Sequence, residues 1–237
     1  MQAVSFGAPC SRRDLESICR WAGLHSGGQQ RRLVPASALR RLLSVAARNA
    51  SGNTYHHAGH FAHVVMAAGL LATCAGLRGE DRRLLVLAGL VHDFDHLGRR
   101  ASSRHYHQER LSAQRAVRVI VGGGGDTRLV SRIHNLLRAT VLTIDANRSI
   151  ILESDRLARL LTDADIFASV VYPRSRSIQM TRALKLEQRL PGPAKDLNQR
   201  FSTMIKVTGL QSNLAQSMLQ TAFGSRHPMR NAFRLDG

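Results

Sequence analysis

Lysine is nearly absent from this chain, and so are aromatic residues, paired cysteines and long apolar runs. Aromatics make up 5% of the 237 residues, while Leu, Ala and Val are plentiful and turn residues are widely spaced, which favours helices over strands. Cys10, Cys19 and Cys74 are odd in number and show no C-x-x-C spacing. They indicate neither a disulfide framework nor a thiolate zinc site, and they fit a reducing compartment. No apolar stretch reaches the roughly 18 residues that a membrane span needs, and residues 1–13 lack the charged-then-apolar order of a signal segment. The expectation is a soluble, cytoplasmic protein with no membrane association. Acids are also scarce: 16 Asp plus Glu stand against 34 Lys plus Arg, a net charge of +18. Only Lys185, Lys195 and Lys206 are lysines, so the excess is guanidinium, the better bidentate ligand for phosphate. An anionic partner, nucleic acid included, is therefore left open, although the arginines are spread along the chain rather than clustered.

What is present is a core. With 43% hydrophobic residues the chain can bury a large domain, and its apolar periodicity predicts helices over residues 11–21, 37–50, 55–74, 81–91, 103–121, 128–142 and 154–170. Two or three more are expected between 176 and 222. The fold class that follows is an all-α, multi-helix bundle. We expect an N-terminal helical extension (1–50) packing on or covering the core, a main domain (51–222) and a basic, flexible tail (223–237). The run of four glycines at 122–125 lacks the Lys-Ser/Thr ending of a phosphate-binding loop, so it is expected to be a flexible connection.

Polar residues interrupt this apolar pattern in three places. Residues 92–96, His-Asp-Phe-Asp-His, follow the apolar run 84–91, and burying an unpaired carboxylate or imidazolium costs several kcal/mol, roughly, unless a metal or counter-charge compensates. His56, His60 and His63 recur at i, i+4 and i+7, on one face of the expected helix, with His57 pointing elsewhere. On the segment 154–170 the core stripe is Leu157, Leu160, Leu161, Ala164 and Ala168. Asp165 lies on its edge and Asp163 well away from it. His60, His92, Asp93 and Asp165 could thus face one core, and two imidazoles with two carboxylates suit Zn²⁺, Mn²⁺, Fe²⁺, Co²⁺ or, with water ligands, Mg²⁺.

This order of His, His-Asp and a distant Asp on helices resembles the HD-domain metal-dependent phosphohydrolases. Residues 55–64, Tyr-His-His-Ala-Gly-His-Phe-Ala-His-Val, are similar to the Tyr-His-Asn-x-x-His-Ala-x-Asp-Val signature of cyclic-nucleotide phosphodiesterase catalytic domains. Residues 92–98 are similar to their His-Asp-x-x-His-Pro-Gly, and 163–166 to their Ala-Asp-Leu segment. The resemblance covers residues 55–170. It implies that His60, His92, Asp93 and Asp165 ligate one tight divalent metal, with Asp93 bridging to a second held mostly by waters, and that His56 is the general acid. His96, Glu109 and Thr140 fall where the family places groups that hold the water cluster, and His96 is counted with His56 in the catalytic set. Gln211 and Gln216 are candidates for the family's purine-clamping Gln, and Arg99 and Arg104 for steering an anionic substrate. The chain departs from the signatures at His57, His63, Leu97, Leu111-Ser112 and Val141.

The implied activity is hydrolysis of a cyclic nucleotide or related phosphodiester by a metal-activated hydroxide, with a nucleotide or phosphodiester small molecule as the partner. The alternatives are an HD-type nucleotide phosphomonoesterase and a catalytically weakened, metal-containing nucleotide- or RNA-binding module. Metal identity and oligomeric state are left open.

Overall fold

The 17 residues Ala58–Cys74 contain no Asp, Glu, Lys or Arg, and a helix so apolar on every side is stable only where other helices surround it. In the computed structural model, which describes residues 10–24, 33–48, 53–98, 107–138, 140, 155–171, 174–208 and 210–223, this segment is α3. It is preceded by α1 (Arg12–Ala22) and α2 (Ala36–Arg48), and followed by α4 (Gly79–Val91), α5 (His107–Val121), α6 (Thr127–Arg138), α7 (Arg156–Val171), α8 (Arg174–Gln188), α9 (Ala194–Thr208) and α10 (Asn213–Phe223). All regular structure among the described residues is helical. The expected bundle is therefore observed, with three helices after residue 173.

Helix α3 runs through the centre, packed by α1, α4 and α7. Its Gly69 lets α1 come close: a Cβ there would lie 2.7 Å from the Cβ of Ala22. Helix α1 starts at a reciprocal capping box, in which Ser11 Oγ accepts from Asp14 N at 3.2 Å and Asp14 Oδ2 accepts from Ser11 N at 2.8 Å, as a Ser followed three residues later by an acid suggests. Helices α5 and α6 pack on each other, with α5 against α2. Arg132 of α6 pairs with both Glu80 and Asp81 in the first turn of α4.

Two expectations change. The glycine run joins α5 to α6 but is seated on α2. Gly123 would put a Cβ 2.6 Å from that of Ala38, and Ser37 Oγ donates to the Gly123 carbonyl at 3.2 Å. Small size, rather than looseness, is what the position requires. Asp163, expected away from the core, is fully buried, because α10 packs on that face of α7. Its carboxylate accepts from Gln211 N at 2.6 Å and Ser212 N at 2.8 Å, anchoring the chain that leads into α10. Burial pushes its pKa up to about 6 against these bonds and the charge of Arg159.

Candidate metal centre

The helix expected from Tyr55 begins at Ala58, because His57 is its N-cap: the ring Nδ1 accepts from Gly59 N at 2.9 Å. An imidazole accepts only when neutral, and burial, helped by His60, lowers the pKa of His57. His56 therefore lies in the segment before the helix and not one turn below His60, which corrects the helical placement read from spacing. His60 and His63 are on α3 and both are buried.

Helix α4 delivers the second group. It ends at Val91 with His92 as C-cap, and the chain then turns tightly, with Phe94 N donating to Val91 O at 3.3 Å and His96 N to Asp93 O at 3.2 Å. Asp95 takes up the turn with φ 57° and approaches Arg115 Nε at 3.7 Å. Phe94 is fully buried and meets Phe61 edge-on at 6.0 Å, and Phe61 meets the His92 ring at 5.7 Å and 89°. The aromatic pair fixes where the motif leaves the core. Gly98 closes the turn at φ 62°, where a Cβ would fall 2.4 Å from Asn53 Oδ1. Asn53 Nδ2 in turn donates to His96 O at 2.9 Å.

Helix α7 contributes Asp165, and four side chains converge. His60 Nε2 and His92 Nε2 are 3.1 Å apart. Asp93 Oδ2 lies 3.3 Å from the first and 3.1 Å from the second, and Asp165 Oδ1 lies 3.3 Å and 3.4 Å from them. Ligands about 2.0–2.2 Å from a tetrahedral or octahedral ion are separated by about 3.0–3.6 Å, so the four donors are spaced as a divalent ion's ligands would be. The tautomer fits too. His92 Nδ1 bonds the Gly89 carbonyl at 2.8 Å, which holds a proton there and turns Nε2, the atom that would ligate an ion, toward the other three groups.

Electrostatics agree with a cation-seeking site. Burial opposes charging the two rings, yet the carboxylates beside them outweigh it, raising His60 and holding His92 well above the usual range. Burial likewise opposes ionising the acids, and the imidazoles outweigh it, so Asp93 and Asp165 are both lowered. The buried cluster could hold a metal ion, as a group of four with His60, His92, Asp93 and Asp165; a second group, His56, Asp93 and His96, shares Asp93 with it.

Residues outside the converging four are placed as follows. His56 Nε2 is 3.7 Å from Asp93 Oδ2, and its ring stacks on His96 with centroids 3.5 Å apart at 21°. His63 belongs to neither group. Glu109 is half-buried in the first turn of α5, also outside both. Thr140 Oγ1 donates to the Leu137 carbonyl at 2.7 Å, at the end of α6. Ser112, where the chain departs from the signatures, is buried and braces the motif by donating to Phe94 O at 2.8 Å. Gln211 is buried beside Asp163, and Gln216 Nε2 donates to Leu210 O at 2.7 Å. Arg99, Arg104 and Val141 lie outside the described residues.

One residue beside the site has no signature in the sequence. Glu187, near the end of α8, accepts from Tyr55 N at 2.7 Å and from His56 N at 3.0 Å, and its other oxygen bonds His56 Nδ1. Burial resists its ionisation, but these hydrogen bonds prevail and bring its pKa down to about 2. Nothing in its local sequence marks it, since an acid on a polar helix is ordinarily a solvated one.

No protein-family profile matches the sequence, and no curated protein matches it. Solved structures do. The phosphodiesterase domain of the RhoPDE fusion protein from the choanoflagellate Salpingoeca rosetta superimposes with a TM-score of 0.64 at 17% identity, covering 98% of this chain and 92% of that one. The fold is that of a phosphodiesterase domain. A second structure, the phosphodiesterase domain of Salpingoeca rosetta rhodopsin phosphodiesterase, gives 0.64 at 16% identity over 98% and 89% of the two chains. No helix among the described residues is long and apolar enough to cross a membrane.

Proposed function

We propose that the chain is a metal-dependent phosphodiesterase of the HD type, acting on a cyclic nucleotide or a related small phosphodiester. The observation that carries this reading is the convergence of two imidazoles and two carboxylates, spaced 3.1–3.4 Å apart where measured, inside a phosphodiesterase-domain fold. His60, His92, Asp93 and Asp165 would hold the divalent ion, which when bound supplies a Lewis acid for phosphoryl oxygens and lowers the pKa of a water.

The chain's own groups supply the rest. Glu187 takes the His56 Nδ1 proton in a hydrogen bond and so turns Nε2 toward Asp93. A proton carried at Nε2 is placed for delivery to the leaving oxygen of the ester. His96 packs flat on the His56 ring and limits its rotation. Burial, with the neighbouring His56, brings the His96 pKa down to about 4, and Nδ1 accepts from Gly98 N at 3.1 Å. The ring is therefore neutral near pH 7 with its proton on Nε2, a donor for a phosphate oxygen or a water.

The test is hydrolysis of cyclic mononucleotides and dinucleotides with Mn²⁺ or Mg²⁺, with bound metal measured in parallel. Asp93→Ala is expected to lose both metal and turnover. Unchanged hydrolysis in that variant, or none by the metal-loaded wild type, overturns the proposal, and phosphate release from mononucleotides instead would identify a phosphomonoesterase.

A further inference from the structure

Helix α7 has a second polar face. Arg156, Arg159 and Asp163 follow one another at i, i+3 and i+7, whereas Asp165 is about 200° around the helix from Asp163. The side away from the metal ligands forms one wall of a cleft of about 410 Å³, closed by the end of α3 and the start of α10. That volume is in the range of about 300–1,000 Å³ typical of small-molecule sites. The lining includes Arg156 and Arg159, the apolar Leu160 and Leu214, and the thiol of Cys74, with no carboxylate among the lining residues. Asp163, beneath, accepts from Gln211 N and Ser212 N and also feels the charge of Arg159.

The two guanidiniums are not alike. Arg156 Nη2 donates to the Ala75 carbonyl at 2.6 Å, which ties its planar fork across the cleft with further N–H groups to offer. Arg159 is half-buried one turn on. One fork can hold a carboxylate or a phosphate face bidentately, and two on one wall suit a tetrahedral, doubly charged group with more than two acceptor oxygens. The leucines suit an apolar or flat body attached to it.

We propose that this cleft binds a small organic phosphate, at a site separate from the metal centre. The inference does not depend on the phosphodiesterase reading.

Cys74 is a built-in reporter. It is the exposed cysteine of the three; Cys10 and Cys19 are buried, and burial pushes their thiols up to about 11 and about 12. Alkylation of the full chain by a maleimide is followed with adenosine 5′-monophosphate as probe and adenosine as its uncharged counterpart. The monophosphate is expected to slow labelling of Cys74 saturably, by about tenfold at about ten times its dissociation constant, while adenosine does little. In an Arg156→Gln/Arg159→Gln variant the protecting concentration should rise at least about tenfold, because the charge-assisted hydrogen bonds to the phosphate are lost. Asp93→Ala should protect like the wild type. Absence of protection by the monophosphate, equal protection by adenosine, or protection lost in Asp93→Ala but kept in the arginine variant would each overturn the proposal. The wild-type comparison of the two probes decides the matter even if the arginine variant fails to fold.

Discussion

Glu187 ties α8 to the segment that carries His56, and replacing its carboxylate separates two effects. Glu187→Gln keeps the size and one acceptor oxygen but removes the charge behind the ring. Turnover is expected to fall about 10–100-fold, as when a group that orients a working imidazole is lost, with the metal content of the purified protein unchanged. The variant also has a stability signature. Glu187 is lowered from the usual 4.5 to about 2 in the folded chain, so its contribution is complete above about pH 4.5 and is lost as the pH falls toward 2. Chemical denaturation of wild type and variant across that window should show the wild type's advantage shrinking with acid; a difference independent of pH would mean that the carboxylate is not bonded as described. Phe94 makes a different kind of demand. It is fully buried against Phe61, and Phe94→Ala should cost about 3–5 kcal/mol of folding free energy, measured by urea denaturation of the metal-free protein so that lost packing is not confused with lost metal.

At the level of elements, the apolar stripes on α3, α4 and α7 were readable because an amphipathic or wholly apolar period of 3.6 residues leaves few arrangements other than burial. His60, His92, Asp93 and Asp165 were readable as partners for the same reason: each interrupts or borders such a stripe. The misplacements have local causes. Spacing alone places His56 on α3, because it does not reveal that His57 stops the helix by bonding Gly59 N. The period of α7 places Asp163 outside, because its burial comes from α10, whose docking that period does not announce. Glu187 was invisible because its partner His56 is 131 positions away. The α1–α3 joint gives this level its own test. A Cβ at Gly69 meets that of Ala22 at 2.7 Å, so Gly69→Ala should force the helices apart at a cost of about 1–3 kcal/mol. The usual helix-propensity gain of about 1 kcal/mol for Ala over Gly works against this. A net rise in the thermal midpoint would show that α1 does not pack as tightly as described.

Taken whole, the molecule carries two electrostatic loads of different kinds. One is its surface, with a net charge of +18, where like charges repel through solvent and are screened over about 8–10 Å at ordinary salt. The other is the cluster, where His60 and His92 are almost wholly buried beside two partly exposed acids, Asp93 and Asp165, and where salt screens charges less than at the surface. A divalent ion bound only by the folded chain would stabilise it by about 4 kcal/mol at a thousand times its dissociation constant. The two loads should therefore respond separately. Raising sodium chloride is expected to raise the thermal midpoint of the metal-loaded and the chelator-treated protein by similar amounts, because it acts on the surface in both. Chelation should lower the midpoint by an amount that salt hardly changes, because it acts on the buried cluster. Scanning calorimetry over a salt series, with and without a chelator, measures both. A chelation effect that vanishes at high salt would place the ion on the basic protein's surface, and no effect at any salt would remove the metal from the fold's energetics.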